Sequence, residues 1–197
     1  MDSMKYYWLA PKDQRVNNWI LHREHSITGV ELREQYRGLR CEKCNKLDEL
    51  AALELGIDDQ TRIRSRSDYL ITDDGFICVS NLTRHVIETN GVHGVYFRIL
   101  SDDRYAIALP IELAKTNREI AGMEFYRQCL SCGRYRETCL FPTIASIETP
   151  SSTLAVICPE IKFEGTIGRK FWYLATQDIV KIFRANKISG VEYIPAY

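Results

Sequence analysis

The sequence predicts an α+β protein built from two similar strand–helix–strand units, with a pair of cysteine knuckles bridging distant segments. Three observations predict it. An apolar strand, a hydroxyl cap, an amphipathic helix, an Asn stop and a second strand follow one another twice along the chain. Two Cys-x-x-Cys pairs, Cys41/Cys44 and Cys129/Cys132, stand far apart in a chain with no other dense cysteine pattern. Finally, 45% of the 197 residues are hydrophobic, enough to bury one large domain or two small subdomains.

Taken in order, Lys5 to Leu9 reads as an opening strand and Asn18 to His22 as a second. Val30 to Tyr36 reads as helical and leads into the first cysteine pair. Leu47 to Leu55 is a short helix with Gly56 as its stop. The turn pair Asp74-Gly75 introduces a strand at Phe76 to Val79. Ser80 or Asn81 then caps a helix carrying Leu82 and Val86, which Asn90-Gly91 ends in the left-handed region. Val95, Phe97 and Ile99 alternate with Tyr96 and Arg98, as in a half-buried strand. The polar turn Ser101 to Arg104 pairs that strand with Tyr105, Ile107 and Leu109.

The same order returns near the C-terminus. Phe171 to Leu174 is an aromatic strand and Thr176 a cap. Ile179, Ile182 and Phe183 form a helix stripe, Asn186 is the stop, and Val191, Tyr193 and Ile194 form a strand. Aligned without a gap, Ser80 meets Thr176, Asn90 meets Asn186, Gly94 meets Gly190 and Val95 meets Val191. We read this as an internal duplication in which each unit buries a helix face on its own strands. Phe141 to Thr153, with Pro142 and Pro150, reads as the connecting loop. The expected division is therefore residues 1–140, holding the first unit and both cysteine pairs, and residues 154–197, the second unit packed on the same domain.

A Cys-x-x-Cys turn lets two thiolates converge on one ion, and two such turns supply the four ligands that zinc prefers. Gly133 after the second pair and Asn45 after the first are residue types that tolerate the left-handed turn such a knuckle needs. Cys41, Cys44, Cys129 and Cys132 are thus the expected ligands of one structural zinc. Reduced unligated thiols, a redox pair and another metal are the competing readings; a redox site would need a strand-rich run before one of the pairs. Cys78 and Cys158 lie in apolar runs and read as buried small hydrophobes, and Cys139 is not expected to be a ligand.

Other chemistry finds little support. His22, Glu24 and His25 cluster without the spacing of a zinc protease, and no phosphate loop or nucleophile elbow appears. The chain therefore reads as a non-enzyme. Arg62, Arg64 and Arg66 alternate; on a strand they would share one face, either as a solvated edge or as a grip for phosphates or an acidic partner. With 26 basic and 26 acidic residues the net charge is zero, which lowers the expectation of nucleic-acid binding. The opening residues lack a signal-peptide run and no segment could span a bilayer, so a cytoplasmic location is expected.

A short MKYYWL-type opening strand, an early Cys-x-x-Cys, a strand–cap–helix unit ending in Gly-Val-x-Phe, a later Cys-x-x-Cys-Gly and a C-terminal Gly-Val-Glu-Tyr strand occur in this order. Together they resemble the double-CxxCG motif proteins, grouped among the immunity proteins of bacterial polymorphic-toxin systems. Asn45 stands where that family's first motif has Gly. The resemblance implies a cytoplasmic antidote that binds a cognate toxin protein. The alternative is a zinc-containing nucleic-acid-binding module using Arg62, Arg64 and Arg66.

Overall fold

The computed structural model describes residues 5–12, 18–26, 29–32, 34–117, 124–133, 135–139, 144–160, 163–164, 169–170 and 172–197. Its strands in chain order are β1 (Tyr6–Pro11), β2 (Arg23–Ser26), β3 (Gly29–Leu32), β4 (Tyr69–Ile71), β5 (Ile77–Ser80), β6 (Val95–Ile99), β7 (Tyr105–Pro110) and β8 (Leu113–Ala114), followed by β9 (Glu124–Gln128), β10 (Tyr135–Cys139), β11 (Val156–Pro159), β12 (Phe163–Glu164), β13 (Arg169–Lys170), β14 (Tyr173–Thr176) and β15 (Val191–Ala196). The helices are α1 (Glu49–Leu55), α2 (Asn81–Thr89) and α3 (Gln177–Ala185). The fold is mixed α+β and dominated by sheet. No helix among the described residues is long and apolar enough to cross a membrane.

The two strand–helix–strand stretches fold alike because they share the same cap geometry and the same helix stop. Ser80 and Thr176 adopt the same extended cap conformation, at φ −69° with ψ 165° and 161°. The Ser80 hydroxyl accepts from the Thr83 amide at 3.3 Å, while the Thr176 hydroxyl donates instead to the Thr153 carbonyl. At the other end, the Asn90 and Asn186 side-chain amides each reach back one turn, to the carbonyls of Val86 at 2.8 Å and Ile182 at 2.9 Å. Gly91 and Lys187 then take the left-handed conformation at φ 63° and 56°.

The likeness extends beyond those stretches. One sheet runs β4-β5-β7-β6, and the core of the other runs β11-β14-β1-β15. Their registers superimpose. Ser80 opposes Tyr105 as Thr176 opposes Tyr6, Val79 opposes Ala106 as Ala175 opposes Tyr7, and Val95 opposes Pro110 as Val191 opposes Pro11. On the outer flank, Tyr69 opposes Val79 as Val156 opposes Ala175. The N-terminal strand β1 therefore holds in the second unit the place that β7 holds in the first. The first unit is contiguous; the second is completed by a strand from the far end of the chain, so β1 crosses the division between residues 1–140 and 154–197.

The units also meet reciprocally. Gly94 after α2 lies against Val156 of the second unit, and Gly190 after α3 lies against Tyr69 of the first. The Val156 amide donates to the His93 carbonyl at 2.9 Å, and the Tyr69 amide to the Ser189 carbonyl at 3.1 Å. Helix α2 packs over β5 and β7, α3 packs over β14 and β1, and the two helices touch each other. Alternation along β1 and β14 gives the second sheet two buried faces. Leu9, Tyr173 and Ala175 join the main core with Ile107, Ile179 and Phe183, whereas Trp8 and Leu174 join a smaller cluster with Ile147 and Ile157. Each large apolar side chain so buried contributes about 1.5–3 kcal/mol.

Several sequence expectations change. Val30 to Tyr36 is not helical: Gly29–Leu32 pairs with Arg23–Ser26 as a hairpin, and only Glu34–Leu39 coils, as a 3-10 turn. Asn18 to His22 is irregular, its course set by amides that bond a buried carboxylate rather than a neighbouring strand. Phe141 and Phe171 lie outside the described residues, and β14, the strand expected over Phe171 to Leu174, begins at Tyr173.

Candidate metal centre

The first knuckle is a small hairpin closed by the antiparallel bridge between Arg40 and Leu47. The second sits at the tip of β9 and β10, where Gln128 opposes Tyr135. Six residues separate Arg40 from Leu47, and six separate Gln128 from Tyr135. Inside each loop the turn has the same form. The Asn45 amide donates to the Cys41 carbonyl at 2.7 Å, and the Gly133 amide to the Cys129 carbonyl at 2.8 Å. Asn45 has φ 57° and Gly133 φ 70°. A left-handed residue directly after the second cysteine turns the chain away beneath the sulfurs, and Asn and Gly are the residue types that accept that conformation most readily.

The fold brings the knuckles face to face. Cys41 Sγ lies 3.7 Å from Cys129 Sγ, and Cys44 Sγ lies 3.6 Å from Cys132 Sγ. All four sulfurs fall within 4.8 Å of one another. A tetrahedron with metal–sulfur bonds of about 2.3 Å has sulfur–sulfur edges of about 3.8 Å, so the two cross-knuckle contacts have the length such a site requires. All four thiols are free and partly exposed, which gives an ion a way in. The residues present fit one tetrahedral ion.

The knuckle backbones also favour thiolate. The Cys41 thiol is drawn down to about 6, first by the Cys44 amide and then by the Lys43 amide, which both donate to its sulfur. The Cys129 thiol is lowered in the same way by the amides of Cys132 and Ser131. Arg40 and Lys46 flank the first knuckle half-buried, and Lys43 is exposed at its tip. These cations offset part of the charge of a tetrathiolate site. Arg134 and the side chains of Arg127 and Arg136 lie outside the described residues. Four protein sulfurs around one tetrahedral ion would fill its coordination sphere.

Among the described residues the other expected residues form no comparable cluster of metal-ligating groups. Arg62, Arg64 and Arg66 are exposed and alternate with the more buried Thr61, Ile63 and Ser65, but their segment lies outside any sheet and is not an edge strand. The Arg62 guanidinium turns back to the Thr61 carbonyl at 3.0 Å. His22 faces Asp58 at 3.9 Å, whereas the side chains of Glu24 and His25 lie outside the described residues. Cys78 and Cys158 are fully buried among apolar neighbours, and Cys139 ends β10.

Sequence reasoning missed two carboxylates that lock the chain. Asp74, read only as part of a turn, is buried and accepts from the Ile20 and Leu21 amides, both at 2.9 Å. Asp68 accepts from the Ser189 amide at 2.9 Å, the Ser189 hydroxyl at 2.6 Å and the Ser80 hydroxyl at 2.7 Å. An Asp directly before Gly in a turn, and an Asp beside a strand start, were the available signals. Both are too common to single these residues out. No known family model matches the chain, and no characterised protein matches it in sequence.

Proposed function

We propose that this chain is a non-enzymatic immunity protein, a zinc-stapled scaffold that binds a cognate bacterial toxin protein in the cytoplasm and neutralises it. The convergence of Cys41, Cys44, Cys129 and Cys132 on one point carries the reading. A closed thiolate set holds shape rather than performing chemistry, and zinc is the ion such a set suits best. The ordered motifs that resemble the double-CxxCG proteins supply the toxin. In this reading the metal fixes the geometry of a surface whose exposed charged and aromatic side chains provide affinity.

Two measurements test it. Metal analysis of the purified chain should find one zinc per molecule, and Cys132→Ser should lose it and melt at a lower temperature. An unchanged metal content in that variant removes the zinc. Expression of the neighbouring upstream gene product, alone and beside this chain, should give toxicity that only co-expression relieves, with the two proteins co-purifying. A harmless neighbour removes the antidote.

The exposed row of Arg62, Arg64 and Arg66 favours a second reading, a nucleic-acid-binding module. Binding to generic DNA or RNA that falls steeply with salt and is lost in the triple alanine variant would support it. No binding at low salt would end it.

A further inference from the structure

The two halves of the metal site are held to the rest of the molecule very differently. The first knuckle is fixed without help from the metal. Leu47, directly after it, and Tyr36, four residues before its closing Arg40, are buried in the main core at 1% and 0% exposure. The Tyr36 hydroxyl accepts from the His22 amide at 3.1 Å and donates to the Gly56 carbonyl at 3.0 Å. The Asp48 amide closes the base of the knuckle on the Leu39 carbonyl at 2.9 Å. These bonds tie it to the N-terminal segment and to α1, and Tyr36 and Leu47 share the main core with Ile77 and Ile107 of the first unit.

The second knuckle rides on a two-stranded hairpin. Strands β9 and β10 pair with each other and belong to neither large sheet. Beyond that pairing, β10 packs beside β12, itself part of the small β12–β13 hairpin inserted between β11 and β14. The knuckle tip is open to solvent, with Leu130 at 95% exposure. A two-stranded hairpin is marginally stable in water unless something holds it. The hairpin meets the fixed knuckle through the pair of sulfur contacts at 3.7 and 3.6 Å.

We infer that the metal is a latch: it docks the β9–β10 hairpin onto a first knuckle already locked to the core, and its removal releases the hairpin while the two-unit core stays folded. The inference rests on the metal reading above and adds a division of labour to it. Each unit closes its own sheet and helix without either knuckle, and the reciprocal contacts at Gly94 and Gly190 join the units directly. Metal loss therefore has a local consequence. The open cleft beside the first knuckle, lined by Leu39, Arg40, Asp48 and Ala51 and covered at one side by Cys132, widens as the hairpin leaves. The docked and released states present different surfaces, so a partner that touches both knuckles would sense the metal.

Hydrogen exchange on the full chain, zinc-loaded and then chelated under reducing conditions, tests the latch. Exchange should accelerate by at least about tenfold in residues 124–139 and change by less than about twofold in β1, β5, β7 and β14. Cys129→Ser and Cys132→Ser should reproduce that pattern without chelator. Protection lost together across hairpin and core overturns the latch and leaves the metal as a staple of the whole fold. Unchanged hairpin protection overturns it from the other side. A chain that neither contains nor takes up metal removes the metal reading and the latch with it.

Discussion

The first unit runs β4-β5-α2-β6-β7 without a break, whereas the second collects β11, β14, α3 and β15 from the C-terminal part and borrows β1 from the start of the chain. Their strand order and register nevertheless agree residue by residue. The units are the same module opened at different points. In the first, the turn Ser101 to Arg104 joins the β6–β7 hairpin; in the second, β15 and β1 lie in the same relation as separate segments. Register is set by which face each side chain must bury and by the caps that fix the helix, and both survive a change in connectivity. Where the units differ, the difference lies in how each seam between them is locked.

The largest expected effect strikes the position where the units are most alike. A Cβ on Gly94 would sit 1.9 Å from the Val156 carbonyl oxygen, and one on Gly190 would sit 2.4 Å from that of Tyr69. Both obstacles are backbone, and both glycines have positive φ, at 96° and 81°. Gly94→Ala and Gly190→Ala should each cost about 3 kcal/mol or more, Gly94→Ala the greater amount. Urea unfolding of the two variants checks this. A loss under about 1 kcal/mol in either would mean that the reciprocal seam does not hold the units together.

The carboxylates sharpen the comparison through their opposite responses to pH. Burial raises Asp74 to about 6, outweighing the Leu21 amide, the Thr72 hydroxyl and the Ile20 amide that bond it. A folded value above the unfolded one means that its contribution is full below about pH 4 and is lost as pH rises through about 6. The two-unit gap corresponds to about 3 kcal/mol, and Asp74→Asn should remove that slope from the pH dependence of unfolding. Asp68 behaves in reverse. Burial pushes it up, but the Ser189 hydroxyl and amide and the Ser80 hydroxyl prevail and hold it below the usual carboxylate range. Its contribution is present above its unfolded value and is lost as pH falls through its folded one. Ala155 occupies the matching place in the other seam, so Asp68→Ala should make the two seams alike at a cost of about 1–2 kcal/mol at neutral pH. Unfolding curves at about pH 3, 4.5 and 7.5 separate the two residues, because Asp74 responds between the upper two values and Asp68 only toward the lowest. Parallel shifts for both variants would contradict these assignments.

What could be read in the sequence follows from the range over which each feature is determined. The cap Ser80, the stops Asn90 and Asn186 and the two knuckle turns are fixed by neighbours a few residues away, so their patterns stand in the chain as written, whereas the Thr176 hydroxyl bonds the distant Thr153 carbonyl. The convergence of the knuckles depends on tertiary packing, and only the chemistry of zinc suggested it. The placement of β1 depends wholly on distant partners. Its signal was present, because Tyr6 to Pro11 and Tyr105 to Pro110 each open on Tyr and close on Pro with apolar residues between. A search along a single direction of the chain does not reveal a module whose last strand comes first. Val30 to Tyr36 misled because its apolar residues are too few to distinguish a short hairpin from a helical turn.

The smallest effect concerns the one place where the helix stops differ in chemistry. Gly91 and Lys187 occupy equivalent left-handed positions at φ 63° and 56°. For Gly the conformation carries little steric cost; for Lys the Cβ crowds a carbonyl oxygen at a cost of about 1–2 kcal/mol. Gly also loses more chain entropy on folding, by about 0.5–1 kcal/mol. The strain exceeds the entropy, so Lys187→Gly should stabilise the protein by about 0.5–1 kcal/mol. Both the Lys187 amide, bonded to the Arg184 carbonyl at 3.0 Å, and the Ile188 amide, bonded to that of Phe183 at 3.0 Å, would remain in place. Lys187 is exposed, so the change disturbs no packing. The reciprocal Gly91→Lys should lose a similar amount, and the double variant should melt close to the parent because the sites lie in separate helix ends. A destabilised Lys187→Gly would show that the second unit draws something from the lysine side chain that the first unit does without.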